Sequence, residues 1–172
     1  MKGILRLAAA AALFALLAPE AGRYRAEREL RRGSAQLRRA LASTSIEQAR
    51  PAIERAAELG IAAAPGLPAD PRPRVLAGSA RLVANRPREA LDFYRDALAT
   101  GERAEIDLNL GRAHSAAGER PEAQAALRRA LWISPALTAA LLPDVQAASH
   151  ERSLELEKLL RSGNLSAPPA LP

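Results

Sequence analysis

The chain has 172 residues, 48% of them hydrophobic but only 3% aromatic, with 13 prolines and no cysteine. That suits one domain or a short array of closely packed alanine- and leucine-rich helices better than a sheet. It excludes a disulfide framework, a thiolate metal site and a cysteine nucleophile. The net charge of +6 is almost wholly arginine, with lysine only at Lys2 and Lys158. Arginines interleaved with glutamates, as in YRAERELRR, describe a solvated, ion-paired surface, and no nucleic-acid partner is expected.

Residues 1–22 begin with Lys2 and Arg6 and continue into an uncharged apolar run from Leu7 to Ala18. A basic start followed by a short apolar stretch has the layout of a secretory signal, and the run is short against the roughly 20 residues of a spanning helix. Pro19 spoils the small-residue pattern of a cleavage site, so the segment is read as a signal or an uncleaved membrane anchor. Export is favoured, although Arg23, Arg25, Arg28, Arg31 and Arg32 crowd the far side, where the positive-inside rule draws them to the cytoplasm. The expected location is a bacterial-type cell envelope, anchored at the inner membrane or exported, with the remainder periplasmic.

Residues 23–59 form a first helical unit. Ala49, Ala52, Ile53, Ala56 and Ala57 recur at the spacing of one helix face. The stretch from 60 to 73, GIAAAPGLPADPRP, carries enough glycine and proline to forbid a continuing helix. It is expected to be an extended connector or bent insert that loosens the first unit from the rest. Over 74–135 the same stripe appears twice, as Ala90, Phe93, Tyr94, Ala97, Leu98 and as Ala123, Ala126, Leu127, Ala130, Leu131. Gly78 and Gly111 share that offset, so two helices repeat with a period of about 33 residues, which is a solenoid signal. Residues 136–162 predict a short helical piece, Pro143, and a helix from about Asp144 to Arg161 ended by Gly163. Val145, Ala148, Arg152, Leu156, Leu159 and Leu160 would form its inner face, capping the open end of the array. The tail, 163–172, is expected to be disordered.

These repeats resemble the tetratricopeptide repeat family. In the last unit Leu110 and Gly111 fall on the family's paired Leu-Gly positions, and His114 takes the place of a large residue. Ala123, Leu127 and Ala130 match the second helix, and Pro135 the closing proline. Asp107 departs at the early tryptophan position. The preceding unit keeps Gly78, Ala90, Tyr94 and Ala97, with Glu102 in place of the closing proline and Arg81 where a large residue belongs. The first, about Glu29 to Leu59, keeps only Ala49, Ile53 and Ala56. The resemblance implies an all-α, right-handed solenoid of helix-turn-helix repeats whose Gly78 and Gly111 let paired helices approach. It also implies a concave groove lined by the first helices. Carried over position by position, the groove residues are Glu105, Leu108, Asn109, Arg112 and Ser115, with Ser79 and Leu82 one unit earlier. Asn109 and Arg112, one turn apart, can hold a peptide carbonyl or carboxylate by charge-assisted hydrogen bonds.

No HExxH, GxSxG or phosphate-binding glycine loop occurs in the sequence. His114 reads as a packing residue, His150 as surface, and Trp132 as packing against the terminal helix. The Asp92/Asp96 and Glu105/Asp107 carboxylate pairs are expected to lack the buried surroundings that would split their pKa values. Asn164-Leu165-Ser166 is a glycosylation sequon by pattern only. The expectation is a non-catalytic interaction scaffold, without cofactor or metal, that binds a protein segment in its groove and supports a membrane complex. The alternative makes the Arg-rich segment 23–39 a binder of anionic lipid, at about 1 kcal/mol per basic residue near the surface.

Overall fold

A computed structural model describes residues 2–134 and 143–164. Among these the protein is all-helical, without a strand. Its helices are α1 (Lys2–Leu41), α2 (Ile46–Ala63), α3 (Arg72–Val83), α4 (Pro87–Leu98), α5 (Ala104–Ala117), α6 (Arg120–Ile133) and α7 (Pro143–Arg161), with a single 3₁₀ turn at Ala64–Gly66. Each helix packs on the next in sequence, and the odd-numbered helices α1, α3 and α5 also touch in succession.

Local chemistry sets the boundaries. Prolines stand in the first turn of α3, α4 and α6, where the missing N–H would have no helical partner. Asp70 accepts the Arg72 N–H at 2.9 Å and starts α3. Gly118, at φ 83°, ends α5 in the left-handed conformation that a side chain would resist. Helix α1 runs unbroken through Pro19. Among the described residues, no helix is long and apolar enough to cross a membrane.

The expected loose connector is corrected. Helix α2 continues through Gly60 to Ala63, and only a 3₁₀ turn and a short bend separate it from α3. Gly60 does not break the helix; it brings α3 close. A Cβ there would lie 2.7 Å from the Pro73 carbonyl oxygen and 3.0 Å from the Ala77 nitrogen. Helices α2 and α3 therefore pack directly.

The core is built largely from small residues. Gly78 lies under the ring of Tyr94, which is completely buried. Ala90 and Ala97 are fully enclosed beside it, with Leu110 at the same cluster. Gly111 faces Leu127, and Ala123 and Ala130 are buried along the same helix. The earliest pair has its own counterpart, Gly33, whose Cβ would meet Leu76 Cδ2 at 2.7 Å and Leu59 Cβ at 3.1 Å. Tight helix approach through glycine thus occurs in all three hairpins, α1–α2, α3–α4 and α5–α6. Pro135 lies outside the described residues, as do the helical piece at 136–142 and the tail from 165.

Polar groups stitch successive pairs. Arg81, placed where a large residue was expected, reaches Glu54 of α2 at 2.6 Å and Glu89 of α4 at 3.2 Å. The Tyr94 hydroxyl meets Ser79 Oγ at 3.1 Å. Burial pushes this phenol up to about 12, against weaker opposing effects of the Ser79 hydrogen bond and the Arg112 charge. It stays protonated through the physiological range. Tyr94→Phe is expected to lower unfolding free energy by about 1 kcal/mol in urea titration, the net worth of one such hydrogen bond. His114 is buried at the end of α5, its Nδ1 2.6 Å from a Glu119 oxygen, where it fastens the turn into α6.

Candidate functional site: a groove across α1, α3 and α5

Helices α1, α3 and α5 enclose an open cavity of about 690 Å³. Helix α1 supplies Leu30, Ser34, Leu37 and Leu41 along one side, with Arg31 and Arg38 beside them. Helix α3 contributes Val75, Leu76 and Ser79, and α5 begins at the far side with Glu105 and Ile106. Leu30, Leu37, Leu76 and Ile106 are buried in the core, so they form a fixed floor, whereas Leu41 is 63% exposed. This wall exists because α1 turns one stripe, Ala26, Leu30, Leu37 and Ala40, into the core with α2, leaving the adjacent arginines at the cavity.

One end of the cavity is electrostatically organised. Arg72 bridges Glu27 at 2.6 Å and Asp70 at 2.5 Å, tying α1 to the start of α3. That hydrogen bond holds the Asp70 carboxyl below its ordinary value, and the charge of Arg103 adds to the effect. Arg103, which precedes α5 and also lines the cavity, therefore lies within electrostatic reach of the cluster.

Of the groove residues read from the sequence, Ser79 and Glu105 line this cavity. Leu108 does not: it is buried with Leu127, Ala130 and Leu131 between α5 and α6. Leu82 is half-buried against the α4–α5 cluster. Asn109 is half-buried, and Arg112 and Ser115 are exposed, all apart from the cavity lining. Arg112 acts on Tyr94 instead, its charge favouring the phenolate. The α1 wall was missed. Its signal was the repeated Leu-Arg-Arg at 30–32 and 37–39, which returns to one helix face after two turns.

A second, smaller crevice of about 270 Å³ separates α6 from α7 and is lined by Leu131, Trp132, His150, Ser153, Leu154, Glu157 and Leu160. Trp132 thus faces the terminal helix. Leu154, Leu159 and Leu160 remain substantially exposed on α7; the side chains of Val145, Ala148, Arg152 and Leu156 lie outside the described set.

The carboxylate pairs need correction. Asp92 and Asp96 are exposed, as expected, but Asp107 is completely buried with neither side-chain oxygen hydrogen-bonded. Burial pushes its carboxyl up to about 7; Glu102 adds to the rise and Arg129 opposes it. Glu102 itself is held below its ordinary value by the Arg129 guanidinium, which donates to it at 2.7 Å. The spacing held a signal for this: Asp107 stands three, four and seven residues before Leu110, Gly111 and His114, on the buried face of α5, and Glu105 does not. Among the described residues no group of His, Asp or Glu side chains could hold a metal ion.

No protein-family model, no curated protein and no solved structure matches the chain.

Proposed function

We propose that the chain is a short right-handed solenoid of tetratricopeptide-type repeats that grips a segment of a protein partner and performs no catalysis. The observation that carries this reading is the cavity shared by α1, α3 and α5, with its buried leucine and isoleucine floor and flanking arginines. An apolar floor rimmed by charged and polar side chains can bury the side chains of a bound polypeptide segment while hydrogen-bonding its polar groups. The recurrence of Gly33, Gly78 and Gly111 at the hairpin contacts supports the repeat reading. Segment 1–22 would place the module at the bacterial cell envelope by export or anchoring, where it supports assembly or stability of a membrane complex. A second reading, anionic-lipid binding through 23–39, draws on the exposure of Arg23, Arg25, Arg28, Arg32 and Arg39 on α1.

A photo-crosslinking amino acid at Ser34, within the groove, is expected to give a discrete protein adduct in intact cells. The same group at exposed Arg55 on α2 is expected to give none. Equal adducts from both positions, or lipid adducts alone from Ser34, would remove the groove proposal.

A further inference from the structure

The charges around the groove do not balance. Arg72 is matched by Glu27 and Asp70, and arginines such as Arg25, Arg55, Arg81, Arg86, Arg95 and Arg161 form ion pairs elsewhere. Arg31, Arg38 and Arg103 have no ion-pair partner among the described residues, and all line the cavity. Glu105 is the one acid of the lining outside the Arg72 cluster. With four arginines against Glu27 and Glu105 the lining is net positive, and a concave wall of net charge over a low-dielectric floor focuses its field and attracts the opposite charge more strongly than the same groups on a convex surface. Arg31 and Arg38 are two helical turns apart, about 10 Å along α1. That is too far for one carboxylate, but three residues of an extended chain cover it. Between and beside them lie half-buried Ser34 and Val75 and exposed Leu41, a partly apolar ledge.

We propose that the groove's occupant is an extended acidic protein segment whose side-chain carboxylates, about three residues apart, sit on Arg31 and Arg38 while an apolar side chain covers Leu41 and Val75. Arg103 receives a further carboxylate at the α5 end. This assignment rests on the groove reading and adds the chemistry of the partner. A flat membrane surface reaches the exposed arginine heads but not the floor of Leu30, Leu76 and Ile106 in the recess walled by α1, α3 and α5; a chain can enter it. No free carboxyl terminus is needed, since the cations are spread along the helix.

The test is a random peptide library displayed as N-terminal fusions, so that no peptide has a free carboxyl terminus, selected on the full chain. Enriched peptides are expected to carry Asp or Glu at a three-residue spacing next to Leu or another apolar residue. Fluorescence anisotropy on the best peptide should show at least about tenfold weaker binding to Arg31→Glu/Arg38→Glu, and weaker binding as salt rises. Arg32→Glu/Arg39→Glu, the same charge change outside the cavity, should leave affinity unchanged. Neutral or basic peptides whose binding is lost on Val75→Asp would overturn the acidic assignment and leave the groove standing. Binding indifferent to both Val75→Asp and the double reversal would remove the groove itself. Loss of flotation with anionic phosphatidylglycerol vesicles in the double reversal, with no peptide enriched, would transfer these arginines to lipid. The variants' helical circular dichroism verifies folding, since both arginines are exposed.

Discussion

Asp107→Asn is expected to stabilise the protein at pH 8 by a few kcal/mol and to leave it nearly unchanged at pH 4. The wild-type carboxyl is completely enclosed and accepts no hydrogen bond. Burial, reinforced by Glu102, moves it from 3.8 to about 7 in the folded state. Between those values the folded chain holds a proton that the unfolded chain has released, so stability falls as pH rises. The contribution is fully present below about pH 4 and is gone once the folded carboxyl ionises above 7. A shift of that size corresponds to an order of 4 kcal/mol, or roughly 8–16 °C in Tm for a chain of this length. Asn keeps the shape and discards the titration. The two paired acids oppose the trend: Asp70 and Glu102, both held low, contribute stability that is lost as pH falls through their folded values. The decisive quantity is therefore the difference between wild type and variant in urea unfolding at pH 5 and pH 8. Parallel curves would show that the carboxyl does not titrate in the folded interior.

Gly78→Ala and Gly111→Ala are expected to destabilise the fold by about 1–3 kcal/mol each, although alanine favours a helix over glycine by up to about 1 kcal/mol. The sign is decided by what the new methyl meets. At Gly78 it would lie 2.7 Å from Cε1 and 3.0 Å from Cδ1 of Tyr94, a rigid ring with no exposed surface. At Gly111 it would lie 2.6 Å from the branch atom Cγ and 2.7 Å from Cδ2 of buried Leu127, with the Ala123 carbonyl oxygen of the backbone 3.2 Å away. Both contacts are far inside van der Waals separation, so α4 or α6 must move outward. Gly22 in α1 is the internal control, since nothing lies within 4 Å of its added Cβ. Gly22→Ala should raise Tm while the other two lower it. A gain at Gly78 equal to that at Gly22 would refute the close-approach account.

The α3–α6 core was legible because small residues at one-face helical spacing have few uses other than bringing helices together. Gly33 escaped the same reading. Its hairpin is longer between glycine and the second-helix alanines, so the offset shared by Gly78 and Gly111 does not extend to it. Gly60 was misread for a related reason. In isolation glycine among prolines reads as a break, but with Pro73 and Ala77 against it the missing side chain is a packing feature. The groove was legible as a class of site, and only in part as residues. Ser79 and Glu105 line it, whereas Leu108 turns toward α6, because a helical position rotates about 100° per residue and a small error in phase changes the neighbour.

The sequence by itself determined the helical class, the tight glycine and alanine contacts and the helix boundaries at first-turn prolines and at Gly118, because periodicity, steric bulk and backbone freedom act over one or two turns. Only the tertiary structure decided that α1 forms a wall of the cavity, that Arg31, Arg38 and Arg103 line it together, and that the Asp107 carboxyl finds no hydrogen-bond partner in the interior. Those facts depend on which distant helices face one another, and solvation and charge at a point are sums over neighbours that no local spacing records.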